Sequence, residues 1–217
     1  MARYFHDRSE AGRVLAEKLM AYANRKDVLI LALPRGGVPV AFEIAKALHA
    51  PLDVFLVRKL GVPGHEELAM GAIASGGVTV YNDEVVGGLD ISSPMIDMVV
   101  TREQQELERR EHLYRGDRPF PDLHGRTVVL VDDGLATGAT MRAAVVALRQ
   151  HQPAHSVIAV PIASPDTCEA LRTQVDEMIC AMTPDPMYAV GLWYEHFDQT
   201  SDDEVRELLA AAERQLH

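Results

Sequence analysis

The sequence predicts an α/β fold with a mostly parallel sheet flanked by helices. Three observations carry that expectation. Short apolar runs at residues 28–33, 127–131 and 156–162 have the length of strands buried on both faces. Stretches with helical spacing of apolar residues alternate with them. The first two runs each end in a glycine-containing turn that opens onto the next helical stretch. Crossover helices return such a chain to parallel neighbours, and ligands bind beyond the carboxyl ends of the strands.

Taken in order, Asp7 and Glu10 form a capping-box pair, and Ala11, Val14, Leu15, Leu19 and Tyr22 recur at helical spacing, predicting a helix over 7–23. The run 28–33 is a strand interrupted by Pro34, Arg35, Gly36 and Gly37, and Pro39 suits the first position of a helix reaching about His49. Residues 52–57 form a second strand. The glycine-dotted stretch 58–77 reads as a long loop or an irregular hairpin, and 78–81 as a short strand. Ser93 and Pro94 open a helix to about Tyr114, supported by the Glu106–Arg110 pair. A strand at 127–131, a helix at 138–151, a strand at 156–162, a helix from Ser164-Pro165 and a strand at 175–182 follow. Residues 188–194 read as a further strand, and Ser201 with Glu204 caps a last helix carrying Val205, Leu208, Leu209 and Ala212.

The 217 residues carry a net charge of −11, spread unevenly: +4 over residues 1–60 and −15 over the remainder. Phosphate contacts from basic surface supply most sequence-independent affinity for nucleic acid, so this balance argues against a nucleic-acid partner. No stretch approaches the roughly 20 consecutive apolar residues that span a bilayer. The opening residues lack the apolar run of a secretory signal, and the expected location is the cytoplasm with no membrane association. Cys168 and Cys180 form no metal or redox pattern and read as two buried thiols.

The chemistry-bearing residues fall at the predicted carboxyl edge. After the strand 127–131 come Asp132, Asp133, Gly134, Leu135, Ala136, Thr137, Gly138, Ala139 and Thr140. Two carboxylates can accept hydrogen bonds from sugar hydroxyls. The small residues beyond them let the backbone approach a phosphate, whose oxygens the helix-start amides and the Thr137 and Thr140 hydroxyls can satisfy. Together they describe a cradle for a ribose 5-phosphate, and the absence of Gly-Lys-Ser/Thr separates it from a Walker A loop. Pro34, Arg35, Gly36 and Gly37 form a second anion-binding turn, to which Arg35 adds a planar charged fork.

The tract 131–140 resembles the phosphoribosyl diphosphate (PRPP) motif of the type I phosphoribosyltransferases. That resemblance implies a Rossmann-like parallel sheet with a small hood lobe, a PRPP–Mg²⁺ substrate and transfer of 5-phosphoribosyl to a small nitrogenous base with release of diphosphate. It implies Asp132 and Asp133 on the ribose hydroxyls, and Ala136, Thr137, Gly138, Ala139 and Thr140 around the 5-phosphate. Residues 34–37 resemble the family's diphosphate loop, which often holds a non-proline cis peptide before its basic residue, here Pro34–Arg35. The whole of 1–217 is then one domain, with its core at about 25–183 and a hood from 184–217 to which 1–24 could add. A homodimer is compatible with this organisation.

Arg58 and Lys59 stand at the place of the family's mobile catalytic loop, where cations stabilise charge on a leaving diphosphate. Orotate and adenine phosphoribosyltransferases have a similar Arg-Lys pair. The orotate enzyme's further loop Lys has no counterpart near Val62 or Pro63, and its His matches His65 only after a one-residue shift. The tract from Met187 to Glu195 resembles the purine-salvage hood pattern, which implies Tyr188 against the base and Glu195 near the metal, with Tyr for Phe and Glu for Asp as departures. Ala136 stands where hypoxanthine enzymes carry an Asp, and Ala74 where the adenine enzyme carries a Glu. Glu66 and Glu67 are the remaining candidate general bases. Three functions stay open: the transferase, a PRPP-sensing regulator without catalysis, and a hydrolase of a phosphoribosyl metabolite.

Overall fold

β1 (Val28–Ala32) is buried at all five positions, as a strand must be when helices cover both faces of its sheet. In the computed structural model, which describes residues 4–89 and 91–216, β1 lies inside a five-stranded parallel sheet. Residues 1–3 of the segment read for a secretory signal fall outside the described residues. The chain divides into two compact units.

The first unit comprises residues 1–55, 123–138 and 152–217. It holds α1 (Arg8–Lys18), β1, α2 (Gly37–Leu48), β2 (Leu52–Val54), β6 (Thr127–Val131), β7 (His155–Ile162), α6 (Pro165–Arg172), β8 (Glu177–Met182) and α7 (Asp202–Gln215). The strand order is β2-β1-β6-β7-β8, every pair parallel. β6 is buried at all five positions, and β7 from Val157 onward. The Asp7 carboxylate caps α1 by accepting from the Glu10 amide, while Glu10 accepts from the His6 amide rather than from Asp7, one residue off the expected box. α1 ends at Lys18, and Met20–Tyr22 forms a single 3₁₀ turn where a continuous helix to residue 23 was expected. Ser164 and Ser201 cap α6 and α7 by accepting from the amides three residues on.

Two expectations are corrected in this unit. Residues 188–194 are not a strand: they run extended into a 3₁₀ turn, Val190–Trp193, and Tyr194 makes an isolated parallel bridge with Phe5. The aromatic spacing there serves a local cluster of Phe5, Tyr194, Trp193 and Phe197, not a sheet ladder. Cys168 and Cys180 are joined as a disulfide and are not free thiols. α6 packs on β8, and that tertiary contact, invisible in local spacing, brings the sulfurs together.

The second unit comprises residues 56–122 and 139–151. The stretch read as a loop or irregular hairpin is a hairpin: β3 (Val57–Val62) and β4 (His65–Ala74) pair antiparallel, with register shifts around Gly61. β5 (Val78–Tyr81) adds a third strand. α4 (Ser93–Arg115) packs on β3 and β4, and α5 (Ala139–Gln150) on all three strands. A short α3 (Asp83–Gly88), capped by Asn82, was not foreseen. Among the described residues no helix is long and apolar enough to cross a membrane.

Candidate functional site

The sheet order reverses between β1 and β6, since β2 follows β1 in the chain yet lies on its other side. In parallel sheets such a switch point opens a crevice beyond the strand ends. The register Ala32↔Val131, extended by the Leu33 amide donating to the Val131 carbonyl at 2.8 Å, makes the two strands end level. Residues 34–37 and 132–138 therefore leave the sheet side by side. Their approach is close enough to dictate a residue type: a Cβ on Gly36 would stand 2.0 Å from Asp133 Oδ2. The Pro34–Arg35 peptide is cis, as the resemblance implied. Arg35 is half-buried, with Nη1 3.7 Å from Asp202 Oδ1 at the start of α7.

Asp132 Oδ1 accepts from the Asp133 amide at 2.8 Å. Burial, and then the neighbouring charge of Asp133, raise the Asp132 pKa well above the ordinary carboxylate value. Asp133 Oδ2 accepts from Arg8 Nε at 2.8 Å, and the Asp133 carbonyl accepts from the buried Tyr194 hydroxyl at 2.6 Å. Burial, with the Asp133 charge second, pushes that phenol up.

The loop beyond is pinned from beneath. The Leu135 amide donates to the Ile162 carbonyl at 2.8 Å, and the Thr167 hydroxyl donates to the Ala136 carbonyl at 2.9 Å. Gly138 has φ +68°, the left-handed conformation that turns the chain into α5. Ala136, Thr137, Ala139 and Thr140 are exposed above these anchors. A fixed backbone under an exposed, small-residue rim is what a phosphate-binding turn needs.

Tyr188 is 81 % exposed on the extended stretch before the 3₁₀ turn. Glu195 is exposed and pairs with His6, Nδ1 to Oε2 at 2.9 Å, a bond that raises the His6 pKa. Among the described residues no cluster of three or more His, Cys, Asp or Glu side chains gathers to hold a metal. The Asp132–Asp133 pair does fit Mg²⁺ brought in on a polyphosphate: two hard oxygen donors, one with a raised pKa, in a site where the ligand supplies the remaining oxygens.

In the second unit Arg58 donates through Nε and Nη2 to one oxygen of Glu103, at 2.9 and 2.5 Å, and Arg102 Nε meets the other oxygen at 3.0 Å. Glu103 is buried, so this network anchors Arg58 to α4. Lys59 is half exposed and donates to the Glu67 carbonyl at 3.2 Å. His65, Glu66 and Glu67 are exposed just past the Pro63–Gly64 turn at the hairpin tip. Ala74, the counterpart of the adenine enzyme's glutamate, is buried at the end of β4.

Three residues at the carboxyl edge were missed by the sequence reading: Arg8, Tyr194 and Thr167. Tyr194 and Thr167 gave no distinguishing local signal. Arg8 did, because a cation in the first turn of a helix sits against the positive end of the dipole and calls for a partner from elsewhere.

Over residues 5–187 the chain matches the family described as the phosphoribosyl transferase domain. It is 49 % identical over 212 residues, 98 % of its length, to a Mycobacterium tuberculosis protein provisionally named a phosphoribosyl transferase, and covers 48 % of that protein. The chain thus spans about half the length of that curated relative. It is 32 % identical over 151 residues to the bifunctional protein PyrR of Roseiflexus, covering 69 % of this chain and 63 % of that protein. The crystal structure of TT1426 from Thermus thermophilus superposes with a TM-score of 0.85 at 39 % identity, over 96 % of this chain and 98 % of that one. The match across most of the chain, agreeing with the level strand ends and the two adjacent turns beyond them, makes this protein a member of the phosphoribosyl transferase domain family.

Proposed function

We propose that the chain binds PRPP and transfers its 5-phosphoribosyl group to a small nitrogenous base, releasing diphosphate. The observation that carries this reading is the contact of the two turns, with Gly36 against the Asp133 carboxylate. One ligand long enough to bear a 5-phosphate, a diol and a diphosphate would engage both. Asp132 and Asp133 accept hydrogen bonds from the ribose hydroxyls, residues 136–140 receive the 5-phosphate, and Pro34, Arg35, Gly36 and Gly37 receive the diphosphate. Mg²⁺ bound with PRPP would neutralise diphosphate charge, with Asp132 and Asp133 as the nearest protein donors; the suggested role of Glu195 beside it belongs to the same proposal.

In the reaction the bond from C1 of the ribose to the diphosphate oxygen breaks, and its electron pair leaves with diphosphate. The base nitrogen forms the new bond to C1 and gives up a proton. Positioning and charge stabilisation supply most of the rate enhancement in such a step. Lys59 and Arg58 are the proposed cations for the leaving group, Tyr188 the stacking surface for the base, and Glu66 or Glu67 the proton acceptor. Ala136 has no side chain that could take a proton from a 6-oxopurine, so hypoxanthine and guanine should react poorly.

PRPP with Mg²⁺ should raise Tm, because a ligand that binds only the native state stabilises it. Asp132→Asn with Asp133→Asn should abolish the shift. Arg35→Ala should weaken PRPP and diphosphate but spare ribose 5-phosphate. Diphosphate release across purines, pyrimidines, nicotinate-like acids and small amines then identifies the acceptor. A double variant that still responds fully to PRPP would sink the ribose assignment. PRPP binding with silence across the panel would favour a sensor.

A further inference from the structure

Arg8 is the first residue of α1, where a helix disfavours a cation, yet its side chain is only 12 % exposed. A guanidinium is buried at a high cost unless each of its edges and faces is met. Here Nε donates to Asp133 Oδ2 at 2.8 Å, Nη1 donates to the Asp198 carbonyl at 2.7 Å, and Cζ stands 3.9 Å above the centre of the Phe197 ring. These three restraints leave the group one orientation. Asp133 is also bounded by the Gly36 backbone, where even a Cβ would fall 2.0 Å from Oδ2. The Tyr194 hydroxyl holds the carbonyl of the same residue. Oδ2 is thereby committed to Arg8, and the remaining neighbour of the carboxylate is the Asp132 side chain, which shares the proposed ribose site.

We propose that Arg8 is a positioning residue that locks the Asp133 carboxylate in the rotamer that accepts a hydrogen bond from a ribose hydroxyl. The inference rests on the reading of this site as a PRPP site. Arg8 acts through Asp133 and touches no reacting atom. Its removal frees the carboxylate to rotate, so ligands carrying the ribose diol lose affinity. Diphosphate alone, received by the 34–37 turn, does not.

The test is calorimetric titration of PRPP–Mg²⁺, ribose 5-phosphate and diphosphate into the wild type, Arg8→Ala, Arg8→Lys, Asp133→Asn and the Arg8→Ala/Asp133→Asn double variant. Arg8→Ala is expected to weaken PRPP and ribose 5-phosphate about 10-fold or more, the scale of a charge-assisted hydrogen bond, and to leave diphosphate unchanged. Arg8→Lys should recover part of the loss, since it restores the charge without the planar fork. In the Asp133→Asn background Arg8→Ala should add little further loss, because the two residues act as one. Strictly additive losses, or undiminished PRPP affinity in folded Arg8→Ala, overturn the role of Arg8 and leave the PRPP reading standing. A wild type that binds no PRPP overturns that reading and this inference with it. If circular dichroism finds Arg8→Ala unfolded, Arg8→Gln decides: it keeps a donor without the charge, and wild-type affinity in it overturns the proposal.

Discussion

If Asp132 holds the ribose as proposed, binding and stability pull apart at this residue. Burial, reinforced by the Asp133 charge, raises its folded pKa well above 3.8. Between that ordinary value and the raised one, the folded chain holds a proton that the unfolded chain has released. Stability therefore falls as pH rises through this window, and above it the buried carboxyl costs the fold stability. Asp132→Asn keeps Oδ1 for the Asp133 amide and removes the titration. Its Tm should exceed that of the wild type at neutral pH, and the gap should close only as pH falls below the ordinary value of 3.8, where the carboxyl is protonated in both states. The same substitution should weaken PRPP. A melting series across pH with and without PRPP checks both signs, and a variant less stable than wild type at neutral pH would refute the conflict. The placement of Asp132 and Asp133 at the carboxyl end of β6 was legible because the signal is local, a strand ending in acids before a small-residue turn. Arg8 signalled locally only that it needed a partner, and that partner lies 125 positions along the sequence.

Among the elements, α6 reaches the phosphate loop through one hydroxyl. Thr167 lies in its first turn, where Ser164 caps it, and its Oγ1 donates to the Ala136 carbonyl. Thr167→Val preserves the shape and the cap but leaves that carbonyl without its donor. We expect a loss of about 1 kcal/mol in stability and weaker ribose 5-phosphate binding, measured by denaturant unfolding and titration. Unchanged phosphate binding would assign Thr167 to helix packing alone. Element types were readable where one pattern dominated: β6 begins and ends where its apolar run does, and Ser201–Glu204 marks the start of α7. They failed where tertiary contact decides. The Tyr188 to Tyr194 tract has the composition of a strand but pairs among the described residues only by the Phe5–Tyr194 bridge, and Trp193 and Tyr194 close a cluster with Phe5 and Phe197. The glycines at 61 and 64 obscured a hairpin because one sits at a register shift and the other, with φ +79°, in its turn.

For the whole molecule, residues 4–55 and 152–216 both belong to the first unit, and Phe5 pairs with Tyr194 across most of the sequence. The Cys168–Cys180 link is the one covalent tie between distant segments found among the described residues. Closing a loop of that size is worth about 3 kcal/mol, chiefly by restricting the unfolded chain. Dithiothreitol should therefore lower Tm in the wild type and leave a Cys168→Ser/Cys180→Ser variant unmoved. Equal melting of reduced and oxidised wild type would refute the tie. The strand order also governs the chain as it leaves the ribosome. β1 is made early, but its neighbour toward the site is β6, and residues 56–122, most of the second unit, emerge between them. Throughout that interval β1 has only β2 beside it and presents a bare apolar edge, the kind of surface on which nascent chains aggregate or recruit chaperones. The turns at 34–37 and 132–138 come side by side only when β6 docks on β1, so the proposed site forms in one step and not turn by turn.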